Sequence, residues 1–411
     1  MTRGALITSL CVAAGWSLAV GPAGQNREEI TWKHLSSDKG DLAAPNPGDQ
    51  QSSACVFDVD ADGVNDFIIA ERTKAPSVVW YRRRPDGWSR YVLDDKALTI
   101  EAGSAYHDID GDGDLDVVFG GDYQSNKVWW CENPRPNYEL RTPWKRYEIK
   151  NFGAKKHHDQ IFGDFDGDGK EELVFWNQGG RKLYIAEIPE NPKETKDWRC
   201  TEIYCYSGDS QMEQRGEYPW WKAANEHEGL AKADIDGDGK LDIIGGGRWF
   251  RHDVGTDYSV HIIDASYAFS RTAVGQLIKG GRPEVLLVVG DGLGPMMMYE
   301  WQKGTWVGRE LLGKVQDGHS LEILDFDGDG RLDIFCAEMR LGNNPDAKTW
   351  ILLGDGEGNF KEVVVASGYG LHESKIADLD GDGDFDILGK PYNWQAPRLD
   401  IWLNQGIMQG E

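Results

Sequence analysis

Six stretches of this chain repeat one acidic pattern, D-x-D-x-D-G-x-x-[DE], beginning at Asp58, Asp108, Asp164, Asp234, Asp325 and Asp378. The carboxylates fall at positions 1, 3, 5 and 9 of each. They are Asp58, Asp60, Asp62 and Asp66; Asp108, Asp110, Asp112 and Asp116; Asp164, Asp166, Asp168 and Glu172; Asp234, Asp236, Asp238 and Asp242; Asp325, Asp327, Asp329 and Asp333; and Asp378, Asp380, Asp382 and Asp386. Oxygens at alternate positions of a tight turn, with Gly at position 6 to let the backbone fold over an ion, suit a hard cation. Ca²⁺ fits, because it accepts roughly six to eight oxygens in flexible geometry. The loop is not an EF-hand: position 12 holds Ile69, Phe119, Phe175, Gly245, Cys336 or Gly389 instead of Glu, and strand-like runs flank it. The bland alternative is a solvated acidic turn, which six near-identical copies disfavour. Up to six Ca²⁺ are expected, and they would offset about half of the formal charge of −25.

A second constellation stands six or seven residues before each first Asp: His157 and His158, His227 and Glu228, His319, and His372 followed by Glu373. Six residues of strand cover about 20 Å at ~3.3 Å each, so these side chains belong to the end opposite the acids. Four blades would place a His on one ring, where His158, His227, His319 and His372 could hold a second metal or supply a general base. A hydrogen-bonded strand end is the alternative for any single one. His107 adjoins Asp108, while His34, His252 and His261 fall on outer strands, and these four are read as structural. The same face should carry Arg72, Lys74, Tyr123, Asn177, Arg181, Arg271, Arg340, Lys390, Tyr392 and Trp394. The connection from Ser207 to Glu226 adds Arg215, Tyr218, Trp220, Trp221 and Lys222. Cations among aromatics suit an acidic oligo- or polysaccharide, with rings stacking and Arg pairing a carboxylate. A charged surface over packed Trp is the alternative.

The elements that must position these residues are short strands. Each unit reads as four: one before the acids ("SLEIL"), one after ("LDIFCA"), an aromatic third ("TWILLG") and a fourth ("FKEVVVA"). The long interval between Asp234 and Asp325 hides a seventh unit, Ala273 to Gly290, with both apolar runs but without the acids. Seven such units predict an all-β, closed seven-bladed β-propeller with four-stranded blades; a linear solenoid is the alternative. The last unit has three strands, and "ITWKHLS" at 30–36 resembles the fourth strands of other units. It should complete the last blade and leave no open edge. Blade cores are expected near 52–95, 102–150, 158–206, 228–265, 271–312, 319–366 and 372–404 plus 30–36.

Residues 1–23 read as a signal peptide, with Arg3, an apolar run and small residues near Ala23, leaving a mature propeller over 24–411. The apolar run is short and interrupted for a membrane span. The protein is therefore expected to be secreted or periplasmic. Cys55, Cys131, Cys200, Cys205 and Cys336 then remain, an odd and sparse set that makes no disulfide framework. The negative charge argues against nucleic acid, and a monomer is expected.

The loops, together with the repeated strands, resemble the FG-GAP and VCBS repeat family, whose propellers carry calcium loops between the first and second strands of each blade. Within it, the His-led first strands, "WCENP" at Trp130 to Pro134 and the closing "ADLDGDGDFDILGKPYNW" resemble propeller-type polysaccharide lyases and aldos-2-ulose dehydratase. That resemblance implies a carbon-oxygen lyase cleaving a uronate-containing glycan by β-elimination. Carboxylate binding would fall to Arg215, Arg271 or Arg340, the base to a ring His with His158 or His319 preferred, and the acid to Tyr218 or Tyr392. A non-catalytic glycan- or protein-binding propeller is the rival expectation.

Overall fold

The computed structural model describes residues 30–207, 226–341 and 344–407. Among them lie seven antiparallel four-stranded sheets, and the only helical elements are three short 3₁₀ turns. The first strand of each sheet is its innermost: Ser53–Phe57, Ile100–His107, His157–Gly163, Ala231–Ala233, Ser270–Gly275, Ser320–Leu324 and Lys375–Ala377, defining blades 1 to 7. Each innermost strand contacts the next, and that of blade 7 contacts that of blade 1, so the sheets form a ring. Ile30–Ser36 pairs antiparallel with Asp400–Ile407, with Ser36 opposite Asp400 and His34 opposite Trp402. The expected closure by this strand is therefore present. Arg215 and Tyr218, with Trp220, Trp221, Lys222 and the expected signal peptide, lie outside the described residues.

The period-2 side-chain pattern of a strand explains how the ring is filled. In blade 1, Ile68, Ala70, Val78 and Trp80 point toward blade 2, where they pack with Phe119 and Trp129. Their alternates Phe67, Ile69, Val79 and Tyr81 point the other way and pack with Leu388, Ile401 and Leu403 of blade 7. Both faces of the middle strands are thus covered, which is why they read as unbroken apolar runs. Seven separate apolar clusters, one at each junction, take the place of one central core. The axis is left to polar side chains. Cys55, Cys131 and Cys336 are buried free thiols, Cys200 is partly buried and Cys205 exposed.

The position-9 acid knits each acidic loop to its blade. Asp116, Glu172, Asp242, Asp333 and Asp386 each accept the N–H of position 2 at 2.8–3.1 Å. The other oxygen of Asp116, Asp242, Asp333 and Asp386, and one oxygen of Asp66, accepts an N–H at 2.6–2.8 Å from the third strand or the residue just after it. Blade 5, which the sequence presents as stripped of its acids, keeps this one: Glu284 accepts the N–H groups of Leu277 at 2.8 Å and Ile278 at 3.0 Å. Position 9 is therefore a fold element as well as a ligand candidate. Replacing Glu284 with Ala orphans two N–H groups and should cost about 2 kcal/mol, with Glu284→Gln losing less because it keeps an acceptor. Urea unfolding should show this loss equally with and without a chelator; a loss that appears only in calcium would contradict it.

Candidate functional site

The six acidic loops share one internal wiring. The position-1 carboxylate accepts the position-6 Gly N–H at 2.8–3.1 Å in every copy. The position-5 carboxylate accepts the N–H of position 7 at 2.9–3.1 Å. Position 6 sits at φ between 84° and 96°, a region that favours Gly. These bonds turn the carboxylates inward. In Asp58, Asp60 and Asp62, in Asp108, Asp110 and Asp112, and in Asp164, Asp166 and Glu172, one ligand atom from each residue lies within 4.8 Å of the others, and two further loops do the same. Such groups can hold a metal ion. Two observations fit one. Asp60 Oδ1, Asp108 Oδ1, Asp236 Oδ1 and Asp380 Oδ1 are buried without a hydrogen bond. Burial, with neighbouring acids adding to it, also pushes Asp66 and Asp386 up to about 7 and Asp116 up to about 8, a state that a nearby cation reverses.

At the opposite end of the axis is a cavity of about 300 Å³ lined by His158, His319, His372, Arg72, Tyr392, Glu101, Glu228 and Asp291 among others. Counting back from the first Asp shows how it is built. At an offset of six, Ala102, His158, Glu228, His319 and His372 line it, and Ser52 of blade 1 does not. At an offset of seven, Glu101 also lines it, whereas the two histidines turn into the blades. His157 is buried against Lys150 Nζ at 3.0 Å and Asn177 Nδ2 at 2.8 Å, and burial together with Lys150 pushes its pKa down to about 3. His227 packs on Tyr206 and Trp176, ring centroids 3.7 and 5.3 Å away, and burial with Arg248 lowers it to about 2. The His227 expected on the ring is thus enclosed by aromatics, and its neighbour Glu228 takes the lining position. A left-handed residue follows in several blades, Gly103, Asp159, Gly229 and Glu373, and the pairing register of blade 3 slips between His158 and Gln160.

The charges are arranged in a chain. His158 Nδ1 lies 2.8 Å from Asp159 and Nε2 3.2 Å from Glu228. Burial opposes a charge there, but Glu228 and Asp159 outweigh it and hold His158 at about 9, an imidazolium at neutral pH. Arg271 reaches Asp159 at 2.7 Å with one nitrogen and Glu373 at 2.9 Å with the other. Both ends of its guanidinium are committed inside the channel. Arg340 lies over Trp394, 3.0 Å from the ring centroid, outside the cavity lining.

On the other side of the cavity, His372 Nδ1 meets the Gln51 carbonyl at 3.1 Å, and burial with Lys390 holds its pKa well below the ordinary value. Burial disfavours its charged form, and because the Gln51 carbonyl can only accept, Nδ1 is the donor even with Lys390 Nζ 3.4 Å away, which leaves a lone pair on Nε2. Its ring lies 4.7 Å from Tyr392 and 4.9 Å from His319. Tyr392 Oη accepts from Arg72 at 2.6 Å and donates to Gln50 Oε1 at 3.1 Å. Arg72 also ion-pairs with Glu101 and lies 3.6 Å from Asp122. Sequence reasoning passed over Asp291, Glu101 and Lys156, all of which line the cavity. Lys156 is adjacent to the His157 and His158 pair, whereas Asp291 lies in the blade whose acids look lost.

The "WCENP" stretch sits at the acidic-loop end. Asn133 Nδ2 donates to Val59 O at 2.9 Å and Leu115 O at 3.1 Å, tying the loops of blades 1 and 2. It is remote from the histidines.

Residues 108–175, 164–245 and 325–389 match the FG-GAP-like repeat family. With seven blades closed by the strand at 30–36, the assignment follows. This chain is an FG-GAP-repeat propeller. It is similar to cartilage acidic protein 1 from Xenopus tropicalis, 23% identical over 333 residues, which cover 76% of this chain and 43% of that protein. The FG-GAP-repeat chain thus spans less than half of that relative's length. Among solved structures it is similar to BBS1N, crystallised in complex with ARL6DN, at TM-score 0.52 and 11% identity, covering 91% of this chain and 97% of that one. This second likeness concerns the fold alone. The repeats and the cartilage relative point to an extracellular kind of protein.

Breaking the Arg271 pairs strips buried Asp159 and Glu373 of their shared cation and leaves them only His158 and Lys375, so Arg271→Met should cost about 3 kcal/mol. Arg340→Met should leave the midpoint near that of the unaltered protein. Denaturant melts of the two variants check this; equal losses would contradict the placement of Arg271.

Proposed function

We propose that this propeller is a secreted or periplasmic carbon-oxygen lyase that cleaves an acidic, uronate-containing glycan by β-elimination at the channel mouth. The observation that carries the reading is the neutral His372 beside Tyr392, both on a cavity that also presents Arg72 and Lys156. β-Elimination breaks a C–H bond next to the carboxylate and the C–O bond to the leaving sugar, and forms a C=C bond. His372 Nε2 removes the proton as base, because its other nitrogen is held by Gln51 and its lone pair is not taken up by a proton. Tyr392, held at about 12 by burial, delivers its proton to the leaving oxygen, and its contact with Arg72 stabilises the resulting charge. The geometry moves base duty away from His158, whose two nitrogens both face carboxylates. Carboxylate binding shifts from Arg271, which does not line the cavity, to Arg72 and Lys156, which do and which would exchange their pairs with Glu101 and Glu226 for the uronate.

A volume of about 300 Å³ is at the small end of ligand pockets, roughly 300–1,000 Å³. It suits one sugar unit of a chain that passes over the face. In the acidic loops the ion is Ca²⁺, chosen by all-oxygen donor sets. Its role is to staple strands at the end remote from the chemistry.

His372→Ala and Tyr392→Phe should each lower the rate by about 10²–10⁴-fold, read as ultraviolet absorbance of the unsaturated uronate product on a panel of acidic glycans. A protein that binds such glycans and releases no product would be the non-catalytic propeller instead. Chelation should lower the melting temperature and added calcium restore it, since a site at 100 times its Kd contributes about 2.7 kcal/mol. An unchanged melt would remove calcium from the loops.

A further inference from the structure

Two of the polar atoms around the channel-mouth cavity are buried and make no hydrogen bond: Glu228 Oε2 and His319 Nδ1. Their residues are 2% and 4% exposed, and no protein group pairs with either atom. Native interiors rarely leave such atoms alone, and each asks for a ligand. The remaining atoms of both side chains are already fixed. Glu228 Oε1 accepts from Gln178 Nε2 at 3.1 Å and lies 3.2 Å from His158 Nε2. His319 Nε2 lies 3.0 Å from Asp291 Oδ1. That contact places the imidazole proton on Nε2, which leaves the lone pair on Nδ1. A histidine with a carboxylate behind it and a carboxylate with donors behind it are the second-shell arrangement that orients metal ligands.

We infer that Glu228 Oε2 and His319 Nδ1 hold a divalent first-row transition ion of the zinc class at the channel mouth. One imidazole nitrogen with one carboxylate oxygen suits that class better than calcium, which prefers oxygen alone. The other coordination positions open on the cavity, where an anionic oxygen of the ligand completes them. Two facts separate this site from the acidic loops: it lies at the opposite end of the axis, and it contains nitrogen. Binding of the metal stands independently of the lyase reading; only the identity of the completing ligand as a uronate carboxylate rests on it.

The test uses the full chain, saturated with calcium so that the loops are filled, then equilibrated with zinc chloride, desalted and analysed for both metals. One zinc per chain is expected for the unaltered protein, with visible absorption of the cobalt-substituted form reporting a nitrogen ligand. Glu228→Gln and His319→Ala should each weaken zinc binding at least tenfold while calcium content is unchanged. His107→Ala, at the acidic-loop end, should retain the zinc. No zinc in the calcium-saturated parent protein, a measurement that requires no variant to fold, overturns the inference, as does zinc retained at full stoichiometry by Glu228→Gln. Zinc bound at the expected stoichiometry without uronate cleavage would sink the lyase reading alone; uronate cleavage by zinc-free, calcium-replete protein would overturn the uronate carboxylate as the completing ligand.

Discussion

Arg271 crosses the axis of the ring. It starts on the inner strand of blade 5 and ends on Asp159 of blade 3 and Glu373 of blade 7. Seven inner strands brought around an axis place their polar ends in a space too narrow for bulk water, and acids crowded there repel one another unless a cation joins them. With Arg271 in place, Asp159 is held ionised and Oδ2 is free to accept from Gly229 N–H at 2.8 Å and to face His158. The charge on His158 in turn orients Glu228. One guanidinium therefore sets the polarity of half the cavity wall while touching none of the apolar junctions.

Much of the architecture was legible because its signals are periodic. Carboxylates at fixed spacing mark each loop, and unbroken apolar runs mark strands covered on both sides, as the opposed packing of Ile68 and Phe67 shows. The closing strand was legible from its likeness to other fourth strands. The site was legible only to within one residue, and one residue decides everything in a strand. His158 and Glu228 face the cavity while His157 and His227, their immediate predecessors, are sealed in the blades. Nothing in composition separates these pairs; the separation comes from left-handed residues such as Asp159 and Gly229 just after the lining position. Ion pairing was less legible still. Arg271 looked like a surface receptor for anions because its partners lie in blades far away in sequence.

The two ends of the axis divide the work by chemistry. At one end every donor is oxygen, the loops are repeated, and Asn133 and the position-9 acids link loop to blade and blade to blade. At the other end no two blades contribute the same environment: His158 is charged, His372 is neutral, and Tyr392 is held between Arg72 and Gln50. Repetition suits a role that each blade performs alone. Difference suits a site in which each group has its own task.

Blade 5 carries a consequence for how such a ring changes over time. Its loop lacks the acids at positions 1, 3 and 5, yet Glu284 still accepts the position-2 N–H, and the position-3 N–H with it. The acids at positions 1, 3 and 5 are therefore dispensable to the blade, whereas the position-9 acid serves it with or without them. A lineage can add or delete ions one blade at a time, tuning dependence on the surrounding medium, while the ring and the cavity at its far end stay as they are.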